Sequence, residues 1–442
     1  MMLDRFKAYV EEQHLFSHSG QQVLLAVSGG RDSVCLAHLM RAAGYPFVIA
    51  HCNFHLRPGD CDRDQAFVRQ LAADMGVEFY TTDFDTLAIA RAEGKSVEEA
   101  ARELRYNWFL DLCEELRIRT VATAHHRDDS IETFFLNLMR GTGIAGLRGI
   151  PPQTDRLFLH IARPMLCFYR TDIDAYVSEH HLAYVEDVTN AQLDARRNRI
   201  RHQLMPLLRE LYPAADRTMW ANLQRFSDTA EVYHAAIEEL QDRLLHHEHS
   251  PFGFDYSYYN IGDLRELEPQ ATLLFELLRP FGFTAAVVSD IMAALPEPRT
   301  GTHFHAPGYI AFFDRERLMI SEYEVLPPPE VSVESGEWQV EEGGWTAYVD
   351  ADAVRQPFYV RRWHAGDRFH PLGMEHSRLV SDFLKDAALN PVEKRNVYLL
   401  VDADGHILWV IGLRIDHRVR VTASTRTVLK LSAVAKPSIL PF

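Results

Sequence analysis

The chain reads as an α/β protein: a doubly wound parallel sheet, followed by a helical middle domain and a small α/β C-terminal domain. Three observations predict this. The apolar run Val23-Leu24-Leu25-Ala26-Val27 passes through a glycine turn into an amphipathic stretch, a strand–loop–helix corner. Up to about residue 166, apolar strand-like runs alternate with helical periodicities at connection lengths that suit βαβ units. From about residue 213 that alternation stops, and 216–248 and 268–295 show helical period only.

Residues 1–20 read as a short helix and a polar turn, Ser17-His18-Ser19-Gly20. The corner itself is Ser28-Gly29-Gly30-Arg31-Asp32-Ser33, after which Val34, Leu36, Ala37, Leu39 and Met40 form the apolar face of a helix ending at Gly44. Serines and glycines here let backbone N–H groups converge on an anion, and the helix N-terminus adds its positive dipole end. The stretch therefore predicts a phosphate site. It lacks the Gly-Lys-Ser/Thr of a Walker A loop and the spacing of a dinucleotide fingerprint. The competing structural reading is a tight turn capped by Asp32 or Ser33. In this context the six-residue string resembles the PP-loop of N-type ATP pyrophosphatases, which cut ATP between its α and β phosphates.

A second strand, Pro46 to Ala50, runs into His51-Cys52-Asn53-Phe54-His55-Leu56-Arg57. Polar clusters at strand C-termini are where parallel sheets bind ligands, and a solvated loop is an equal reading. A helix over Asp62 to Met75 and a strand over Glu78 to Asp83 follow. Ser96-Val97-Glu98-Glu99 has the capping-box form, and the helix it opens carries Arg102 and Arg105 on neighbouring positions. The strand Thr120 to Ala124 then meets His125-His126-Arg127-Asp128-Asp129. Adjacent carboxylates at a helix start suit Mg²⁺ held against an ATP phosphate, while histidine is too soft for Mg²⁺ and is assigned to substrate or phosphate. The same aspartates would also serve simply as helix N-terminal acids.

The loop Arg140-Gly141-Thr142-Gly143 to Gly149-Ile150 carries Arg140 and Arg148 among four glycines, a form suited to closing over a polyanion. Residues 157–166 read as extended, and the chain turns at Asp187-Val188-Thr189-Asn190. Arg196-Arg197-Asn198-Arg199-Ile200-Arg201-His202 is the densest basic run. Few acids lie within a turn of it, so an RNA-backbone contact is favoured over a salt-bridged helix face. A hairpin is expected around Asp314 to Arg317, and the stiff Leu326-Pro327-Pro328-Pro329 marks a boundary. The last region, with Arg368 among its arginines, reads as a helix near 377–388 and strands near 398–402 and 407–412. The expected domains are 1–212, 213–325 (mostly helical), 326–355 (a linker with short strands) and 356–442.

Composition sets outer bounds. A net charge of −16 over 442 residues argues against general nucleic-acid affinity and requires any RNA contact to be local. Five cysteines without a C-x-x-C pair fit a reduced, cytoplasmic protein. No apolar run reaches membrane-spanning length, and the N-terminus lacks the form of a signal peptide.

Taken in order, these motifs closely resemble those of the tRNA(Ile)-lysidine synthetases. The resemblance rests on the PP-loop, Ala101-Arg102 with Arg105-Tyr106, and Ala124-His125-His126 with Asp128-Asp129 and Glu132-Thr133. It continues through Arg163-Pro164-Met165-Leu166, Arg197-Asn198 with Ile200-Arg201, Gly366-Asp367-Arg368-Phe369 and Gly412 with Arg414-Ile415-Asp416. It implies an adenine nucleotide alpha hydrolase-like PP-loop fold and an ATP-dependent ligase. That ligase would join free L-lysine to the wobble cytidine of an isoleucine tRNA with a CAU anticodon, using Mg²⁺. Ala26, Ser28, Gly29, Gly30, Arg31, Asp32, Ser33, His51 and Asn53 would then bind ATP. Asp32 and Asp129 would hold Mg²⁺ or orient lysine, with Arg105 and His126 completing the catalytic set. Arg140, Arg148, Arg196, Arg197, Arg199, Arg201 and Arg368 would contact tRNA. Asn390 stands where the resemblance leads one to expect a basic or apolar residue. A PP-loop tRNA thiolase and a metabolite amide ligase are the alternative functions, and a homodimer is compatible with the sequence.

Overall fold

The computed structural model describes residues 1–16, 20–56, 60–156, 158–186, 196–249, 255–323, 326–336 and 345–434. The expected turns at 17–19 and 187–190, together with Arg57 and Leu157, lie outside them. The chain forms two compact units, Met1–Tyr233 and His234–Phe442.

The first unit is built on a six-stranded sheet of β1 (Val23–Ala26), β2 (Phe47–Asn53), β3 (Phe79–Asp83), β4 (Thr120–Ala122), β5 (Gln153–Arg156) and β6 (Leu159–Ala162), in the order β3-β2-β1-β4-β6-β5. All neighbours are parallel except the β5–β6 hairpin. Its helices are α1 (Met2–Glu12), α2 (Arg31–Ala43), α3 (Asp60–Met75), α4 (Thr86–Glu93), α5 (Val97–Leu116), α6 (Arg127–Arg140), α7 (Ile144–Leu147) and α8 (Arg170–Glu179). Strand alternation sorts the core onto two faces. Val23, Leu25 and Ile49 pack with α1, α2, α3 and α8, while Leu24, Val48 and Val121 pack with Tyr106, Phe109 and Leu112 of α5. Both faces are covered, as the near-continuous apolar strands require. The expected capping box closes α5, Ser96 accepting from Glu99 N–H and Glu99 from Ser96 N–H.

Strand order reverses between β1 and β4, which pair directly through Leu24↔Val121 and Leu25↔Ala122. Open α/β sheets bind ligands at such a switch point. The glycine turn after β1 and the His-Asp cluster after β4 leave adjacent strands at the same edge, although about a hundred residues separate them in sequence.

Beyond the sheet, α9 (Arg196–Arg199), a π-helical turn (Ile200–Leu204) and α10 (Met205–Leu211) form one continuous helical stretch, followed by α11 (Ala215–Leu244). Met205 and Leu223 pack there against Ile131 and Phe134 of α6. The division between units falls inside α11, later than the expected 212/213 boundary.

The second unit differs from the mostly helical expectation for 213–325. Helices α12 (Ile261–Arg265), α13 (Gln270–Leu278) and α14 (Ala285–Ala294) are present, but they pack on a five-stranded antiparallel sheet. That sheet comprises β7 (His246–His249), β8 (Asp255–Asn260), β9 (His303–Ala306), β10 (Tyr309–Asp314) and β11 (Arg317–Glu322). The β10–β11 hairpin turns at Asp314↔Arg317 as expected, and the remaining strands join it by pairings no local pattern announces. Residues 326–355 carry the expected short strands, but these are joined into one sheet instead of forming a linker. β12 (Glu330–Gly336) and β13 (Thr346–Asp350) flank β20 (Val428–Val434) about a hundred residues later.

Between them lie β14 (Tyr359–Arg362), β15 (Arg368–Phe369), β16 (Arg378–Leu379), α15 (Val380–Asp386), α16 (Pro391–Arg395), β17 (Tyr398–Val401), β18 (Ile407–Val410) and β19 (Arg414–Ile415). Asn390 caps α16, accepting from Val392 and Glu393 N–H, and donates to the Tyr256 hydroxyl at 2.9 Å. A basic or apolar residue could do neither. Asp416 is fully buried and accepts from His370 N–H, Arg418 N–H and both arms of the Arg418 guanidinium at 2.9 Å. Burial acts to raise its pKa, but Arg418 and these backbone donors outweigh it and hold the carboxyl below its ordinary range. A depressed carboxylate contributes stability above its unfolded-state pKa near 4, and that stability is lost as pH falls through the lower folded value. Asp416→Asn is therefore expected to lower the melting temperature at pH 7 and to flatten its decline below about pH 4. Parallel acid-limb slopes in variant and parent would contradict this.

Candidate active site

The turn after β1 is shaped by its own side chains. Gly29 takes φ +90°, a conformation L side chains rarely adopt, and a Cβ there would lie 3.2 Å from Val68 Cγ2. Gly30 N–H donates to Ser28 Oγ at 3.3 Å, Ser33 Oγ donates to the Gly30 carbonyl at 2.9 Å, and the two hydroxyls are 3.2 Å apart. The turn feeds directly into α2, whose first N–H groups have no helical partner. Ala26 sits at the end of β1 beside it. The Arg31 guanidinium is turned away from the turn, pairing with Asp174 at 2.5 Å and the Tyr184 hydroxyl at 2.9 Å. Only its backbone can serve a phosphate here.

His51 is buried and its Nδ1–H donates to the Val27 carbonyl at 2.8 Å, while burial pushes its pKa down and keeps the ring neutral. Asn53 donates to Gln65 at 3.0 Å and accepts from His55 N–H at 3.1 Å. His51 thus ties the end of β2 to the segment after β1, and Asn53 braces the loop after β2.

Asp32 in the first turn of α2, and Asp128 and Asp129 in the first turn of α6, converge on the buried ring of His126. Its Nε2 lies 3.4 Å from Asp129 and 3.8 Å from Asp32, and its Nδ1 lies 3.6 Å from Asp128. These are ion-pair distances without hydrogen-bond geometry, so both ring nitrogens are buried without a hydrogen-bond partner. Each carboxylate has its own cation. Arg170 donates to both oxygens of Asp32 at 2.9 and 3.0 Å, and its backbone N–H donates to Asp128 at 2.8 Å. Arg209 reaches Asp128 at 3.1 Å. Arg197 and Arg201 each reach Asp129 at 3.2 Å.

Asp129 satisfies both readings of its sequence position. One oxygen caps His126 N–H at 3.0 Å, and the other faces the two guanidiniums. Burial acts against its charge, but His126, Arg197 and His125 outweigh burial and hold its pKa at about 2. Asp32 is instead pushed above the ordinary carboxylate range, by burial and by Asp129, against the pull of His126 and Arg170. For His126, burial disfavours the charged ring, yet the three aspartates prevail and raise its pKa. Two carboxylates tuned in opposite directions in one cleft mark a site of charge chemistry. Their hard oxygens are the donor type Mg²⁺ takes.

Arg197 and Arg201 correct the expectation that this basic run lacks acids. Their partners come from α6: both pair with Glu132, at 2.8 and 2.6 Å, as well as with Asp129. A local window could not show this. Arg196 is exposed, and Arg199 carries an interaction within the chain. Arg105 lies with its guanidinium carbon 5.2 Å from the Phe54 ring, and no hydrogen bond or ion pair joins it to Asp32, His126 or Asp129. Among the described residues no carboxylate lies within ion-pair distance of Arg105, Arg140 or Arg148. Arg368 donates to Ser377 Oγ at 3.2 Å and to its carbonyl at 3.1 Å, between β15 and β16.

Two participants escape sequence reasoning. Arg170 and Arg209 carry no spacing signal, because each meets its partner across the fold; Glu132 is named only as part of the motif that carries the resemblance, without its partners. His125 is a further residue of interest: partly exposed where His126 is buried, it bonds Thr123 Oγ1 at 2.9 Å, and burial lowers its pKa to about 4. Of the two histidines it is the more exposed, and its ring is neutral.

No described helix is long and apolar enough to cross a membrane. Cys35, Cys52, Cys113 and Cys167 are free thiols. Comparison with known proteins agrees with the geometry. A PP-loop domain model matches residues 3–208, a TilS substrate binding domain model residues 253–323, and a TilS substrate C-terminal domain model residues 358–431. The chain is 36% identical over 437 residues to the tRNA(Ile)-lysidine synthase of Bacteroides thetaiotaomicron, covering 97% of this chain and 99% of that one. It is 36% identical over 447 residues to the protein of that name from Parabacteroides distasonis, with the same coverage. Against the one from Porphyromonas gingivalis strain W83 it is 34% identical over 447 residues, covering 94% and 95%. With a PP-loop at the switch point of its sheet and this likeness along nearly its whole length, the chain belongs to the tRNA(Ile)-lysidine synthase family.

Proposed function

We propose that this enzyme uses ATP to join free L-lysine to C2 of the wobble cytidine in a CAU-anticodon isoleucine tRNA. The observation that carries the reading is the convergence of Asp32, His126 and Asp129 beside the glycine turn. A phosphate cradle and a firmly ionised carboxylate thus share one cleft. The cytidine C2 oxygen attacks the α-phosphorus of ATP and pyrophosphate leaves. The lysine ε-amine then attacks C2, loses a proton, and displaces AMP together with the former C2 oxygen. This yields lysidine, AMP and pyrophosphate.

Backbone N–H groups of Ser28 to Ser33 take the departing phosphates as preorganised donors. Asp129, held anionic, binds and orients the incoming amine, and holding it beside C2 supplies much of the acceleration. His125, neutral and accessible, is placed to accept the amine proton. Asp32 and Asp129 would hold Mg²⁺, which when bound offsets phosphate charge. Arg170 keeps Asp32 oriented beforehand.

The test is AMP and pyrophosphate release from purified protein with Mg-ATP and lysine, with and without the tRNA. Labelled lysine is expected in isoleucine tRNA bearing CAU and not in methionine tRNA. ATP cleavage without lysine incorporation would overturn the substrate assignment, and no cleavage with any RNA would overturn the reaction.

A further inference from the structure

The arginines that face the site's carboxylates are all ion-paired, yet a second group beside them is not. Arg102 of α5 and Arg156 of β5 place their guanidinium carbons 5.2 and 4.6 Å from the centroid of the buried Tyr106 ring. Arg163, just past β6, is only 7% exposed, and its NH1 donates to the Pro151 carbonyl and Thr154 Oγ1, both at 2.9 Å. Its partners are neutral. Among the described residues no carboxylate lies within ion-pair distance of Arg102, Arg156 or Arg163. Burial holds the Arg163 pKa below its ordinary value, Tyr106 acts against that and the nearby Arg102 charge adds to it.

Of these three, Arg163 is buried without an anion, in a chain of net charge −16. A buried cation without an anion is costly, and the cost falls when an anionic ligand arrives. We propose that Arg102 and Arg156, lying on the Tyr106 ring, and Arg163, bonded to Thr154 of β5, form a phosphodiester subsite for the RNA backbone next to the target nucleotide. This rests on the proposed function only for the identity of the RNA.

The charge count separates this ligand from the others. A single amino-acid carboxylate is satisfied by one guanidinium fork. The phosphates of ATP have the N–H groups of the glycine turn. Three forks, one of them on an exposed helix face, match a chain of successive phosphates. Guanidiniums lying on an aromatic ring also form the mixed cationic and stacking surface that single-stranded RNA favours. The subsite takes over the role that Arg197 and Arg201 were expected to play, since those are neutralised by Asp129 and Glu132.

The test uses the full chain and an RNA hairpin reproducing the isoleucine anticodon stem-loop, with binding measured by fluorescence anisotropy across a salt series. Arg102→Gln with Arg156→Gln leaves buried Arg163 in place and so protects the fold. The double variant is expected to bind about tenfold more weakly near 0.1 M salt. Its slope of log affinity on log salt should shrink by about 0.7 for each phosphate that the variant no longer neutralises. Arg102→Lys with Arg156→Lys should recover much of the slope, because it restores charge without the fork. Lysine and ATP KM values should stay within about twofold, since neither ligand meets these side chains. An unchanged affinity and slope in the Gln variant overturns the subsite, as does a raised lysine KM with RNA binding unmoved. If the wild-type chain binds the hairpin through these arginines yet makes no lysidine, the subsite stands and the proposed reaction falls.

Discussion

Asp129→Ala is expected to reduce lysine transfer to tRNA by about a thousandfold or more while leaving the protein folded. The carboxylate is pinned by His126 N–H on one oxygen and by Arg197 and Arg201 on the other. It is held anionic far below neutral pH, so at working pH it presents a fixed negative charge to an incoming ammonium. Removing it leaves Arg197, Arg201 and the His126 ring facing that position, which turns an attractive site into a repulsive one. Folding should survive because Glu132 still accepts from both arginines. The check is single-turnover lysidine formation beside a melting curve. Activity within tenfold of wild type, with the fold intact, would remove Asp129 from the reaction. Asp129→Asn should fall nearly as far, since an amide keeps the shape and loses the charge.

Glu132→Ala should act in the opposite sense, on stability more than on chemistry. The Glu132 side chain is 3% exposed and takes three hydrogen bonds from Arg197 and Arg201, at 2.6 to 2.9 Å. Deleting one partner of a buried pair strands the other, a loss of about 3 to 5 kcal/mol in fully buried cases. Here both arginines are about one-third exposed, and water together with Asp129 recovers part of the loss. The expected cost is therefore near the lower end, about 3 kcal/mol. It should fall on the contact between α6 and the helical stretch Arg196–Leu211, exposing that stretch to protease before the sheet melts. Unchanged urea unfolding together with unchanged proteolysis would show that the pair contributes little. Glu132→Gln, which keeps an acceptor without the charge, should lie between the two.

Taken together, these expectations separate two layers of the site. In the proposed reaction Asp32, Asp129 and the glycine turn face the substrates. Glu132, Arg170 and Arg209 hold that layer in place, since Arg170 alone ties α8 to both Asp32 and Asp128. The proposed RNA subsite of Arg102, Arg156 and Arg163 belongs to neither layer, since among the described residues none of the three pairs with a carboxylate.

Local features of the chain were readable in one dimension because their physics is local. The glycine turn is legible since strand, positive φ and helix start must follow one another within a dozen residues. The Ser96–Glu99 cap, the β10–β11 hairpin and the alternation of the parallel sheet belong to the same class. Interactions across the fold left no trace in spacing. The basic run at 196–202 looked unpaired because its acids sit on α6, more than sixty residues earlier. The short strands expected within 326–355 were legible as apolar runs, but their place in a sheet was not, because the strand that pairs with both lies near residue 430. Neighbouring histidines could not be told apart by sequence, and burial distinguishes them: His126 is sealed among carboxylates while His125 is partly exposed and bonds Thr123. Thus the sequence by itself determined that a phosphate cradle and a pair of carboxylates exist at strand ends. Only the tertiary structure decided that β1 and β4 are neighbours and which arginines are neutralised, because charge compensation depends on distance in space, and folding sets that distance independently of separation along the chain.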